Sequence, residues 1–321
     1  MNSRAGSSAG PYTAPWWLPG GHLQTIFGAL MPAPRVVFRR ERWDTPDGDF
    51  IDLDWAGGDA NPGAPLVALF HGLEGSSASP YARAITAQAL VMGWRCVVPH
   101  FRGCSGELNR LPRAYHSGDS AEIGWILRRL EASHAAGGVL YAVGISLGGN
   151  ALLKLLGEQG AAVGLRRAVA VSAPLDLAAA GRALDAGLSR EIYTRNFLRT
   201  LKRKTFAKLR QGTIAVDSGR LEKARTFWEF DDTVTAPLHG FLGADDYWAR
   251  SSSGPWLAGI RVSTLVINAR NDPFLPESAL NTIGEVPPNV VLEFPRSGGH
   301  AGFPGRDRWL ARRVLEFLSS P

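Results

Sequence analysis

The sequence predicts an α/β fold, with a mostly parallel, twisted sheet and helices on both faces. Two observations carry that prediction. Short, continuously apolar runs recur along the chain, and helical periodicities separate them. Residues 35–38 and 50–55 come first. They alternate in polarity and are expected as half-exposed antiparallel strands. Buried strands are expected at 66–70, 95–98, 139–145, 168–171 and 265–268 and a further strand at 290–294, with helices over 80–92 and 119–133. Connections between such parallel strands should be right-handed.

The alternation stops between residues 177 and 262, where helical runs, a basic cluster and several aromatics replace buried strands. The expected organisation is a disordered tail over 1–14, a core built from 15–176 and 263–321, and a helical lid insertion over 177–262. A chain of 321 residues can bury a large core, and 45% hydrophobic with 20% charged residues excludes the disordered class. A net charge of +6 permits anionic partners without requiring them. Cys96 and Cys104 are the only cysteines; they form no C-x-x-C pair and are expected as free thiols in a reducing compartment. The first residues lack the apolar stretch of a signal peptide, and no later run approaches spanning length. A cytoplasmic protein without a transmembrane segment is therefore expected. No phosphate-binding glycine loop, metal-spaced cluster or nucleic-acid motif is present, so no cofactor, no metal and no nucleic acid are expected.

The stretch Gly144-Ile145-Ser146-Leu147-Gly148 carries the chemistry. An apolar run precedes it and a helical run from Asn150 follows, giving strand, sharp turn and helix with a serine at the turn. That is the context of a nucleophile elbow, where small residues must flank the serine. A serine hydroxyl needs a base to take its proton, and the base needs a carboxylate to hold its tautomer. In the α/β-hydrolase arrangement the chain order is Ser, acid, His. Only His239 and His300 follow Ser146. His239 falls inside the helical stretch, whereas His300 sits in a glycine-rich loop after the last strand and is the expected base. Asp272 ends the strand run 265–268 and precedes Pro273, on the sheet edge where ligands bind, and is the expected acid. Asp176 also ends a strand and is its rival; Asp245 and Asp246 lie in the insertion. Oxyanion donors are expected from the backbone N–H of Leu147 and, in the loop His71-Gly72-Leu73-Glu74-Gly75, of Leu73. His71 precedes the serine and reads as a loop brace, while Glu74 reads equally as a solvated turn residue or a pocket carboxylate.

Further stretches accompany these. They are Pro15-Trp16-Trp17-Leu18-Pro19-Gly20-Gly21-His22-Leu23-Gln24-Thr25, Phe101-Arg102-Gly103-Cys104-Ser105-Gly106, Phe230-Asp231-Asp232 and Asn268-Ala269-Arg270-Asn271-Asp272-Pro273. With the elbow, 71–75 and Gly298-Gly299-His300, the chain resembles the YheT-like branch of the α/β-hydrolases, also called the AB hydrolase 4 family. The resemblance spans nearly everything after the tail. It implies a serine hydrolase acting on carboxylic esters, in company with medium-chain esterases, fatty-acid ethyl ester synthases and phospholipid-cleaving members. Roles for His22, Trp16, Trp17, Arg102 and His116 do not follow from it.

A serine ester hydrolase is the expected function, favoured by the intact Ser146, Asp272 and His300 set, with two alternatives beside it. A serine esterase cleaves short- to medium-chain acyl esters or lipids; an acyltransferase or ester synthase uses the same triad; a non-catalytic scaffold binds without reacting. The aromatics Trp228, Phe230, Phe241, Tyr247, Trp248 and Trp256 are candidates for an apolar acyl wall. The basic amphipathic run Arg195–Arg210 reads as a lid helix, with contact to an anionic membrane as the sharper alternative.

Overall fold

Every residue of β3 (Leu66–Phe70), β4 (Arg95–Pro99) and β5 (Leu140–Ile145) is buried, because the sheet is covered on both sides. These strands belong to a computed structural model that describes residues 10–58, 63–134, 138–305 and 307–320. Side chains alternate across the pleat. Leu66, Ala68 and Phe70 pack with Ile123 and Ile126 of α3 (Ser120–His134) and Leu152 of α4 (Leu147–Gln159). Val67 and Leu69 pack on the other face with Ile85 of α2 (Pro80–Val91) and Val314 of the helix Trp309–Ser319.

The sheet holds eight strands in the order β1-β2-β4-β3-β5-β6-β7-β8, completed by β1 (Arg39–Asp44), β2 (Phe50–Ala56), β6 (Arg167–Val171), β7 (Ser263–Ile267) and β8 (Val290–Glu293). Strand β2 runs antiparallel to β1 and β4, and every other neighbouring pair is parallel. The chain leaves β3 for β4 on one side and returns to β5 on the other. The strand order therefore reverses at β3, and the crevice beyond the carboxyl ends of β3 and β5 is a topological switch point, where open α/β sheets bind ligands.

Three expectations need correction, and one helix stands where none was expected. Residues 35–38 form no strand; the first strand is Arg39–Asp44. The stretch 50–55 is fully buried rather than half-exposed, because Asp52 and Asp54 are neutralised by bidentate bonds from Arg42 and Arg40 on β1. The tail expected over 1–14 is too long. Tyr12 packs edge-on against Phe303 and Gly10 accepts from Trp309, while residues 1–9 lie outside the described residues. Finally, Gly21–Leu30 forms a helix, α1, for which no expectation was drawn.

Between β6 and β7 the chain is mostly helical. It opens with α5 (Leu177–Leu184). A longer helix then runs unbroken from Gly187 through a π-turn at Arg190–Thr194 and on through Arg195–Arg210. Buried Asn150 ties α4 to this segment by donating to Ser251 and accepting from the Ser253 N–H.

Candidate active site

Ser146 stands between β5 and α4 with φ 52° and ψ −118°, a strained conformation for a residue with a side chain. The turn closes only because its neighbours lack side chains. A Cβ on Gly148 would come within 2.5 Å of the Phe70 carbonyl oxygen, and one on Gly144 within 2.6 Å of the Gly149 Cα. The backbone is pinned by the Ser146 N–H donating to the Val171 carbonyl at 2.8 Å.

His300 Nε2 lies 2.8 Å from Ser146 Oγ, and His300 Nδ1 lies 2.9 Å from Asp272 Oδ2. Serine, imidazole and carboxylate thus form one hydrogen-bonded chain from three strand ends. Asp272 is buried and its other oxygen accepts the Phe274 N–H at 2.7 Å, so the turn before Pro273 and Phe274 holds the carboxylate in place. The rival Asp176 is elsewhere: it caps α5 by accepting the Ala179 N–H. Asp245 accepts from Trp228, and Asp246 from Arg250 and the Leu242 N–H. His239 is packed against His116 with ring centres 4.4 Å apart, away from Ser146.

The loop after β3 presents a free donor beside the serine. Tyr81 Oη accepts the Gly72 N–H at 3.0 Å and Tyr115 Oη accepts the Glu74 N–H at 2.9 Å. Among the described residues nothing accepts the Leu73 N–H between them. A Cβ on Gly72 would touch the Ser146 Cβ at 3.1 Å, so this loop lies against the serine. Leu147 opens α4, where the first N–H groups have no partner within the helix. Both free donors and the helix end can meet negative charge developing beside Ser146. His71 is the expected brace. Its Nδ1 donates to the Gly72 carbonyl and its Nε2 accepts the Phe101 N–H, so the ring is neutral, and complete burial pulls its pKa down to about 3.

Several residues at the site had no role in the sequence reading. Helix α1 lies against the Asp272 and His300 loops so closely that a Cβ on Gly28 would sit 2.4 Å from the Gly302 Cα. From α1, Gln24 accepts from Asn271 and the Gly298 N–H, and Thr25 Oγ1 accepts the His300 N–H. The Trp-Trp-Leu-Pro-Gly-Gly-His-Leu-Gln segment therefore leads into the helix that braces both loops. Phe274 stacks on the His300 ring at 3.9 Å, and Tyr193 packs on Phe274 while sharing a hydrogen bond with His22. Glu74, at φ 55°, accepts from Tyr115, from Lys204 on Arg195–Arg210 and from the Cys104 thiol, so it is a pocket carboxylate. Arg102 is buried among Asp47, Asp49 and Glu122. His116 accepts the Gly118 N–H ahead of α3.

A cavity of about 600 Å³ opens from Ser146 and His300. Leu73 and Leu147 border its floor, and Leu177, Phe197, Leu201, Phe230, Val234 and Trp248 form an apolar wall from the segment between β6 and β7. Of the six aromatics expected there, Phe230, Tyr247 and Trp248 line it. Trp228 and Trp256 are partly exposed outside it, and Phe241 packs on Tyr247. The basic run divides. Lys204 meets Glu74, Lys208 donates to carbonyls of Leu111 and Arg113, and Lys202 donates to those of Glu222 and Ala224. Burial lowers the Lys208 pKa to about 8. The arginines 195, 199, 203 and 210 face outward.

Residues 65–307 match the model of the α/β-hydrolase-fold family. The chain is 40% identical to YheT of Escherichia coli (strain K12), whose name describes it as an esterase, over 93% of this chain and 90% of that protein. It is 29% identical to the phospholipase ABHD3 of Homo sapiens over 95% of this chain and 77% of that one. An esterase structure from Pyrococcus furiosus, Pf2001, superposes with a TM-score of 0.58 at 16% identity and covers 96% of both chains, a likeness of fold. Among the described residues no helix is long and apolar enough to cross a membrane. The chain belongs to the α/β-hydrolase family, in its YheT-like branch, and is a carboxylic ester hydrolase.

Proposed function

We propose that Ser146 attacks the carbonyl of a short- to medium-chain acyl ester or a lipid ester and is acylated, and that water then releases the acid. The observation that carries this is the hydrogen-bonded chain Ser146–His300–Asp272 at the foot of an apolar cavity. His300 Nε2 takes the serine proton as the C–O bond forms and returns it to the leaving alkoxide as the ester bond breaks. In the second half it takes a proton from water and returns it to Ser146. Asp272 keeps the Nδ1 proton in place and stabilises the imidazolium. The N–H groups of Leu73 and Leu147 hold the oxyanion.

The segment 177–262 acts as a lid that shapes the acyl site. Apolar burial contributes roughly 0.8 kcal/mol per methylene, so kcat/KM should climb with acyl length until the cavity is full and then fall. A panel of nitrophenyl esters of increasing chain length tests this; a flat profile removes the acyl site. Labelling by a fluorophosphonate probe separates the enzyme from an inert scaffold. An alcohol in place of water at the deacylation step would give a new ester on the same groups. The free thiols Cys96 and Cys104 suit a reducing compartment.

A further inference from the structure

The helix Gly187–Arg210 has two faces with opposite duties. Tyr193, Phe197, Leu201, Lys204 and Lys208 point into the pocket. On the outer face Arg195, Arg199 and Arg203 recur at helical spacing, with Arg210 two turns further along the same side. All four are exposed, and among the described residues none has an acidic partner. The single acidic residue of this helix, Glu191, is paired with Arg190. Four uncompensated guanidinium groups on one stripe are more than an ordinary solvated helix face requires.

Apolar side chains continue this surface. Leu188 is 67% exposed, and Ile192 is partly exposed on the same helix. His22 of α1 stacks on Tyr193 of this helix; Leu23, which follows His22, and Trp16 and Trp17, in the stretch leading into α1, project into solvent, Trp16 being 92% exposed. Indole rings and arginines together suit the headgroup layer of a bilayer. The pocket opens here as well. Of its lining residues Ala29, Leu30, Pro112, Ile192 and Asn196 are exposed, and all but Pro112 belong to α1 or to Gly187–Arg210.

We propose that this surface docks on an anionic lipid bilayer, with the arginine stripe on the headgroups and the tryptophans and leucines in the interface, so that the pocket mouth faces the lipid. The proposal rests on reading the cavity as the ester site. It names the source of the ester as a membrane lipid, reached without dissolving in water.

Co-sedimentation of the full chain with phosphatidylcholine vesicles, with and without phosphatidylglycerol, tests it. Binding is expected only with phosphatidylglycerol and should weaken as salt rises. The variant R195Q/R199Q/R203Q should bind on the order of a hundredfold more weakly, at about fivefold per arginine. It should hydrolyse a dissolved short-chain nitrophenyl ester at the wild-type rate, since none of the three lines the pocket. Trp16→Ala should weaken binding several-fold on the same grounds. Equal binding to both vesicle types, no binding at low salt, or unchanged binding by the triple variant would overturn the proposal. So would a dimer in gel filtration that the triple variant splits, or arginine-dependent binding of a DNA duplex with vesicle binding unaffected. If Ser146→Ala keeps full hydrolysis, the catalytic reading fails alone, because sedimentation does not depend on turnover.

Discussion

The strand-end loops and the helical segment 177–262 contribute to one cavity by different means. In the loops each reactive side chain is fixed by backbone bonds: Asp272 by the Phe274 N–H, His300 by Thr25, and the Leu73 turn by two tyrosine hydroxyls. The helical segment is held by side-chain ties such as Lys204–Glu74 and Lys208 to the 111–113 carbonyls. It also contains a second π-turn, Asp231–Thr235, and a buried acid, Asp231. The difference suggests that the loops set the chemistry and the segment sets what enters. Variants should separate the two.

The largest effects belong to the loops. Ser146→Ala should cost several orders of magnitude in kcat, and Asp272→Asn about ten-thousandfold through the wrong imidazole tautomer, with melting temperatures near wild type. Asp176→Asn should leave the rate near wild type and cost only part of a helix cap, about 1 kcal/mol or less. Near-normal hydrolysis by the serine variant, or a larger loss at Asp176 than at Asp272, would refute the assignment.

This half of the site was legible because each group follows an apolar strand run and obeys a fixed chain order. What supports it was not. Gln24 bonds to Asn271 and Gly298 across 247 and 274 residues, and no local pattern marks such a contact. The Trp-Trp-Leu-Pro-Gly-Gly-His motif signalled that the segment mattered, but its glycines explain themselves only once α1 is seen against the loops. Strand β2 misled for a related reason. Its aspartates look solvent-facing in sequence and are buried by arginines on the neighbouring strand. The aromatic residues of 177–262 were visible as a group, yet only their packing decides which three line the cavity.

Stability against pH should respond in two opposite senses, both of them present within 177–262. Burial lowers the pKa of His71 to about 3, of His116 to about 4 and of His239 to about 3, from 6.5. Below pH 6.5 the unfolded chain takes up protons that the folded chain refuses, so stability should fall as pH drops toward 4. Asp231 works in the opposite sense. Burial raises its pKa from 3.8 to about 7, so the folded state keeps a proton that the unfolded chain releases, and stability is lost as pH rises across that window. In melting curves His239→Gln should flatten the acid side, and Asp231→Asn should gain on wild type progressively from pH 4 to 7. Curves parallel to wild type would contradict these ionisation states.

Smaller effects should fall on the seam between the regions. Phe274 stacks on His300 and also touches Tyr193 and Phe197. Phe274→Leu keeps an apolar side chain but removes the flat ring over the imidazole. Aromatic stacking of this kind contributes about 1 kcal/mol, so kcat should drop five- to tenfold, roughly, with KM little changed. Phe274→Tyr should restore the rate. A loss that appears in KM and that tyrosine does not recover would make Phe274 a wall residue only.

Lys204→Met should give the smallest change. The lysine donates to Glu74 at 2.6 Å from the far side of the cavity, while Tyr115 independently fixes the Glu74 N–H and carboxylate. Removing the lysine therefore loosens the lid without releasing the Leu73 turn. An ion pair of this partial exposure contributes about 1 kcal/mol or less, so KM for a long-chain ester should rise a few-fold while kcat holds. Short-chain esters, which need less of the wall, should respond less. If kcat fell instead, and by as much for short esters as for long ones, the lysine would be holding the oxyanion turn, and chemistry and entry would not separate at this contact.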